Sequence, residues 1–134
     1  MPAIMEQTLT AYAPQIRSIL RIVAALLFLE HGTSGLFGWP SPLPTPAMFS
    51  LYWFSGSIEL VGGVLLALGL WSRCAAFVMS GEMAFAYFIG HAPKGFFPIL
   101  NRGDAAILFC FIFLYLVFAG PGPWSVDAKW RKRA

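Results

Sequence analysis

The first long apolar run reads IRSILRIVAALLFLEHGTSGLF, from Ile16 to Phe37. It contains about the 20 residues that an α-helix needs to cross the hydrocarbon core of a bilayer. Three further apolar runs follow, at about 48–70, 74–90 and 103–119. Segments rich in proline and glycine, 38–47 and 91–102, interrupt the apolar pattern. The pattern predicts a single all-α domain over 1–134, an integral membrane bundle of four transmembrane helices.

The composition excludes an ordinary soluble domain. Of the 134 residues, 58% are hydrophobic and 11% are charged, whereas soluble domains have about 25% charged residues. The lipid bilayer is therefore the first predicted partner. The basic residues lie at the ends of the apolar runs and do not alternate with aromatics on one face, so we expect no nucleic-acid partner. Glu6 and Pro14 interrupt the N-terminus, and the first run is too long for a cleaved signal.

Lysine and arginine set the predicted orientation, because cytoplasmic loops carry an excess of these residues. In a four-span topology one side holds seven of them: Arg17, Arg21, Arg73, Lys129, Arg131, Lys132 and Arg133. The other side holds only Lys94 and Arg102. Both termini are therefore predicted to be cytoplasmic. The basic tail from Lys129 to Ala134 is predicted to anchor this topology, with contact to anionic lipid headgroups as the alternative.

Acidic residues are the strongest indication of function. Four of the six lie in or at the mouth of an apolar run: Glu30, Glu59, Glu82 and Asp104. A carboxylate near the bilayer centre costs about 2.5–3.5 kcal/mol on insertion scales. Glu59 and Glu82 lie about halfway along their helices, with no lysine or arginine at that depth. We expect one of them to be protonated, or the two to share a proton if they face each other.

Glu59 also has a purely structural interpretation. Gly56 and Gly63 flank it at i−3 and i+4, so the acid lies on a face of small residues. Such faces let membrane helices approach closely, and a carboxyl group there can form an interhelical hydrogen bond. Packing alone and a proton or ligand role are both left open by the sequence.

A second polar group is predicted at the outer face. Glu30 and His31 lie in the outer half of the first helix, and Arg102 and Asp104 lie at the outer start of the fourth. We expect His31 to reach Asp104 and the four side chains to form a candidate ligand or proton site. Their spacing matches no metal motif, so no metal is predicted. His91 is predicted to lie in the interface.

Four stretches resemble the DoxX family of four-helix bacterial inner-membrane proteins in their order and spacing. They read LRIVAALLFLEHG (20–32), IELVGGVLLALGLWSR (58–73), NRGD (101–104) and AGPGPWSVDA (119–128), the last being the most specific. The chain departs from the family pattern in having Asp104 where a glutamate is frequent. It also pairs Glu30 with His31 where many relatives are less acidic.

The resemblance implies a bacterial inner-membrane location and a redox or assembly partner. The family takes its name from a small subunit associated with a thiosulfate:quinone oxidoreductase and terminal quinol oxidation. Other members are linked to membrane thiol-stress complexes, and a eukaryotic branch acts in receptor assembly. The predicted function is therefore a small inner-membrane subunit of a quinone-linked or other membrane redox system, with a quinone as the candidate cofactor.

The sequence contains no cysteine cluster, dinucleotide loop or matched haem-type histidine pair. Electrons would therefore have to come from a protein partner, and whether the chain is itself an enzyme is left open. The alternatives are a non-catalytic membrane assembly protein and, third, a small proton-coupled transporter. Homo-oligomerisation is compatible with each.

Overall fold

The computed structural model describes residues 1–132, so Arg133 and Ala134 of the basic tail lie outside the described residues. The regular structure of this range is helical throughout, which confirms the all-α prediction. The six α-helices are α1 (Ala3–Phe37), α2 (Leu51–Leu68), α3 (Ser72–Ala86), α4 (Pro98–Asn101), α5 (Asp104–Ala119) and α6 (Val126–Arg131). A π-helical segment (Tyr87–His91) and a 3₁₀ turn (Ala92–Lys94) continue α3 without a break.

Within residues 1–132, α1 and α2 are long and apolar enough to cross a membrane, and α5 is a shorter apolar helix. Many large apolar side chains on the outside of the helices are exposed, as lipid-facing side chains would be. Examples are Phe77, Phe85, Phe111 and Phe118. Crossing by all four predicted segments, and the orientation of the termini, stay predictions.

The first helix begins at Ala3 and not near Ile16, so it runs through Pro14. A proline inside a helix removes one backbone donor and strains the preceding turn. The hydroxyls of Thr8 and Thr10, just before it, donate to backbone carbonyls one turn back, each at 2.8 Å. Residues 3–13 are exposed, so no packing contact opposes this extension of the helix.

The other helices also start or end slightly differently from the apolar runs. The Ser50 side chain accepts a hydrogen bond from the Trp53 N–H at 3.3 Å, so α2 begins at Leu51 and not near 48. Gly69 has a φ of 71° and ends α2 at Leu68, before the predicted position 70. The third helix begins at Ser72 rather than Cys74, whereas α5 agrees closely with the predicted run 103–119.

The helices pack in chain order: α1 on α2, α2 on α3, and α3 on α5. Aromatic contacts connect α1 to α5, where the Phe28 ring lies 5.3 Å from Phe109 and 4.9 Å from Phe113, centroid to centroid. The fully buried core side chains include Phe28, Leu66, Met79, Phe113 and Leu116. We call the end that carries Arg17, Arg21 and Arg73 the arginine end, and the end that carries His31 and His91 the histidine end.

Glycines allow α1 and α2 to approach closely. A Cβ atom at Gly32 would lie 2.7 Å from the backbone nitrogen of Leu60. On the facing helix, Cβ atoms at Gly56 and Gly63 would lie 2.9 Å and 2.7 Å from leucine Cγ atoms of α1. The face of small residues noted around Glu59 is thus the face against which α1 packs.

Candidate functional site

One hydroxyl group and two carboxyl groups lie near one another between the middle parts of α2 and α3. Ser55 and Glu59 lie one turn apart on α2, and Glu82 lies opposite them on α3. The Ser55 hydroxyl donates to Oε1 of Glu82 at 2.6 Å. Both carboxyl groups are half-buried, and they are close enough to interact electrostatically. We call these three residues the carboxyl site.

One atom of this site lacks a partner. Oε2 of Glu82 is buried and has no hydrogen bond within residues 1–132. A buried polar atom left without a partner costs free energy, and an ionised carboxylate oxygen costs more than a neutral one. Oε2 is therefore suited to carry a proton, which it could donate to a neighbouring acceptor. Of the groups predicted from the sequence, Glu59 and Glu82 are the pair that the structure does bring together.

The position of Glu59 on α2 explains how it reaches α3 while α1 packs nearby. Gly62 faces Met79 of α3, and Gly63 faces Leu29 of α1. Glu59 lies three positions before one glycine and four before the other. On a helix of 3.6 residues per turn it therefore falls between the two contact faces and points toward the space between α1 and α3.

An apolar groove of about 400 Å³ follows the same contact between α2 and α3 toward the arginine end. Its lining is almost entirely apolar and includes Phe54, Ile58, Val61, Leu65, Val78 and Met79. The groove therefore offers an apolar slot on the helix pair that holds the carboxyl site.

The outer polar group is not assembled as predicted. Glu30 is exposed, and the His31 ring packs near Phe109 of α5 with centroids 5.9 Å apart. Phe109 lies five positions beyond Asp104, which is about 7.5 Å along a helix axis. Arg102 and Asp104 are exposed, and no hydrogen bond of the described chain joins any two of these four residues. Their predicted roles stay predictions.

Residues 1–132 also contain no group of three histidine, cysteine or acidic side chains that could hold a metal ion. His91, predicted to lie in the interface, is half-buried, and its Nδ1 lies 3.0 Å from the Asn101 carbonyl oxygen. Asn101 is the first residue of the NRGD stretch, to which the sequence analysis gave no structural role. It is buried, donates to the Gly95 carbonyl at 2.8 Å and accepts from the Gly103 N–H at 2.8 Å. This asparagine holds the loop that leads into α5.

Sequence reasoning also missed the role of Arg21, which was read only as a marker of orientation. Its side chain is fully buried at the arginine end. It donates to the carbonyls of Leu66 and Ala67 in the last turn of α2. It also donates to those of Pro121 and Trp124 in residues 120–125, which we call the closing segment. Arginine carries five N–H donors in a planar fork, which suits it to satisfy several carbonyls at once.

Two more charged side chains join helix ends there. Arg73 donates to the carbonyls of Val117 and Phe118, in the last turn of α5. The Asp127 carboxylate accepts from the N–H groups of Trp71 and Ser72, at 2.9 and 2.8 Å, where α3 begins. The stretch AGPGPWSVDA thus ties the ends of several helices together, and its sequence specificity has a structural reason.

The environment of Asp127 favours its charged form. Partial burial opposes ionisation, but the hydrogen bonds from Ser72 and Trp71 and the nearby charge of Arg131 outweigh it. The pKa of Asp127 is therefore held below its ordinary value. This carboxylate acts as the N-terminal cap of α3, where negative charge is favoured by the helix dipole.

The chain has helices apolar enough to span a bilayer, apolar outer faces, and polar groups that lie between helices. These features define a small helical membrane protein. The family model described as DoxX matches residues 16–92, more than half of the chain. The chain belongs to the DoxX family, as its motifs predicted.

The similar proteins include two of about the same length. A Haemophilus influenzae protein described as uncharacterized is 43% identical over 93% of this chain and 98% of its own length. A Mycobacterium tuberculosis protein described as an uncharacterized membrane protein is 30% identical over 94% of this chain and 88% of its own. An Aspergillus flavus protein described as an MFS glucose transporter is 26% identical over 96% of this chain but only 24% of its own length. No solved structure matches the chain.

Proposed function

We propose that this chain is a small inner-membrane subunit of a quinone-linked or other membrane redox system, in which the carboxyl site holds and passes a proton. The observation that carries the proposal is the buried, unpartnered Oε2 of Glu82 beside Glu59. Ser55 orients the Glu82 carboxyl group through its hydrogen bond to Oε1. A residue held in this way on packed helices keeps its proton-carrying atom at a constant position.

The residues present fit a quinone better at this site than at the outer polar group. A quinone needs a hydrogen-bond donor for its ring oxygen and an apolar slot for its tail. Protonated Glu82 would supply a donor at Oε2. The groove, which lies on the same two helices but is not lined by the carboxyl site itself, would supply the slot. When bound, a quinone would supply the redox chemistry, which takes up protons as well as electrons. The electrons would come from a partner protein, because the sequence contains no motif for an electron carrier.

The direct test is quinone binding to the full chain purified into lipid nanodiscs. A short-tailed ubiquinone analogue is titrated against the wild type and Glu82→Met, with binding followed by tryptophan fluorescence. Methionine keeps the length of the side chain but has no hydrogen-bond donor. The wild type is expected to bind the analogue, and Glu82→Met to bind it about threefold to tenfold more weakly, since a hydrogen bond between neutral groups contributes about 0.5–1.5 kcal/mol. Glu30→Met, an equal change at an exposed acid, is the matched control.

Equal binding by Glu82→Met and the wild type, or no binding by either, would remove the quinone part of the proposal. A second measurement covers redox systems without quinone: membranes of cells that carry Glu82→Gln should show lower respiratory proton uptake than those with Glu30→Gln. If neither variant differs from the wild type in this assay, the proton role is wrong as well.

A non-catalytic assembly function is the second candidate, and the hydrogen bond from Ser55 to Glu82 favours it. This bond connects α2 to α3, as a packing contact would. In that case Glu59→Gln is tolerated in expression and function, whereas a bulky residue at Gly63 is not. Purification of a defined protein partner with no bound cofactor would support this function.

Proton-coupled transport is the third candidate, favoured only by the likeness of the chain to part of a protein described as a glucose transporter. The test is uptake by proteoliposomes under a pH gradient. If no substrate moves with the gradient, transport is eliminated.

A further inference from the structure

A second cleft, unrelated to the carboxyl site, opens at the arginine end. It has a volume of about 360 Å³ and lies between residues 14–17 of α1, the GPGP turn (120–123) and α6. Three arginines line it, Arg17 from α1, Arg73 from α3 and Arg131 from α6. The remaining lining residues are glycine, proline and alanine, so no acidic side chain of the described chain lines the cleft.

The three guanidinium groups keep donors available to a ligand. Arg73 uses only Nη1 to hold the end of α5, and its Nη2 faces Gly120, where a Cβ atom would lie 3.0 Å away. In Arg17, Nε is buried and has no partner within residues 1–132. No other nitrogen of Arg17 forms a hydrogen bond within residues 1–132, so the terminal nitrogens of its guanidinium group are left to bind an anionic oxygen in the cleft.

The nearest carboxylate does not neutralise the cleft. Asp127 lies close enough to Arg131 to interact with its charge. Both of its oxygens, however, accept backbone N–H groups at the start of α3. The charge of Arg131 is therefore reduced, but its N–H donors are not taken by Asp127. Arg73 lies near Asp127 as well, since both line an adjacent cleft, but its hydrogen bonds go to the carbonyls of Val117 and Phe118.

Apolar surface surrounds the cleft on the outside of the helices. Ile16 and Phe118 are exposed beside it on α1 and α5, and Trp124 and Trp130 are exposed on the closing segment and α6. Tryptophan is frequent at the level of lipid headgroups. A ligand with an anionic head and apolar chains would therefore contact the arginines of the cleft with its head and the surrounding apolar surface with its chains.

We infer that this cleft binds the phosphate of an anionic phospholipid, with Arg17, Arg73 and Arg131 around the phosphate and the acyl chains along α1 and α5. Basic pockets between membrane helices bind anionic headgroups in this way. The site is independent of the carboxyl site, so either proposal can fail without the other.

The experiment uses native mass spectrometry of the full chain, with phosphatidylglycerol and phosphatidylcholine added in equal amounts. The test variant is Arg17→Gln with Arg131→Gln, which leaves Arg73 to hold α5. The control, Lys94→Gln with Arg102→Gln, removes the same charge at the histidine end. We expect the wild type to prefer phosphatidylglycerol, the test variant to bind it about tenfold more weakly or worse, and the control to differ less than about twofold.

Equal loss in both double variants would overturn the site, because it would indicate a general effect of positive charge. Equal binding of the two lipids by the wild type would do the same. Displacement of the lipid by millimolar inorganic phosphate would make free phosphate the ligand and refute the lipid assignment. If the test variant does not fold, crosslinking of a photoactivatable phosphatidylglycerol to the wild type decides: labels at 14–17, at Arg73 or within 118–131 support the site, and labels only elsewhere overturn it.

Discussion

Arg21 and Glu82 are both ionisable side chains placed between membrane helices, but their surroundings differ. All three nitrogens of the Arg21 guanidinium group donate to backbone carbonyls, among them that of Ala67 at the end of α2. Glu82 has one oxygen bonded to Ser55, whereas the other is buried without a partner. A polar group whose partners are all supplied by the fold is structural. A group with an unfilled atom is where a proton or ligand belongs.

The largest expected effect is that of Arg21→Met, which keeps similar volume but removes every donor. It removes the partner of the Ala67, Pro121 and Trp124 carbonyls at once, so we expect the free energy of unfolding to fall by about 3 kcal/mol or more. Tm and the yield of monodisperse protein in detergent measure this. The control is Arg102→Met, at an exposed arginine. An unchanged Tm for Arg21→Met would show that the buried network contributes little.

The next effect tests whether the close approach of α1 to α2 positions Glu59. In Gly32→Leu the new side chain meets the backbone of Leu60, which cannot rotate away, so the two helices must separate. We expect a loss of about 1–3 kcal/mol in stability, together with weaker quinone binding. Gly35→Leu is a matched control on the same helix, because nothing lies within 4 Å of a Cβ atom there. Similar Tm values for both variants would contradict this packing.

Asp127→Asn tests the charged cap at the arginine end through pH. The folded-state pKa of Asp127 lies below its unfolded value, so its contribution is present above the unfolded pKa and is lost as the pH falls through the folded pKa. We expect the wild type to lose stability below about pH 4, and the variant to be less stable by about 1 kcal/mol at pH 7. The difference in Tm between the two proteins should shrink from pH 7 to pH 3. A constant difference would mean that the carboxylate charge is not involved.

The smallest expected effect on stability is that of Glu59→Gln and Glu82→Gln. The amide keeps the shape of the side chain, and in Glu82→Gln it can still accept from Ser55, so the change should stay within about 1 kcal/mol. Redox-linked proton uptake should nevertheless fall, which separates function from stability. If Glu82→Gln lowers Tm as much as Arg21→Met does, the carboxyl site is a structural contact and the assembly function is favoured.

Much of the fold could be predicted because its signals are local. The run 103–119 corresponds closely to α5, and Gly69 ends α2 where the apolar pattern stops. Helix starts were predicted less well. Pro14 suggested that the first helix begins after it, but α1 begins at Ala3 and continues through the proline. Of the candidate residues, Glu59 and Glu82 lie close enough to interact electrostatically, as their positions near the middle of adjacent helices suggested. The sequence placed the four residues of the outer polar group at a common depth: Glu30, His31, Arg102 and Asp104. A common depth does not fix the direction in which each side chain points.

The sequence by itself determined the all-helical class, the family and the position of the two central glutamates along their helices, because apolar run length and composition are properties of neighbouring residues. Only the tertiary structure decided which polar groups have partners. Arg21 reaches carbonyls 45 to 103 positions away, and Ser55 bonds to a carboxyl 27 positions away. Such contacts depend on how helices turn and cross, and no local pattern encodes this. That is why Arg21 looked like a marker of orientation and proved to join helix ends.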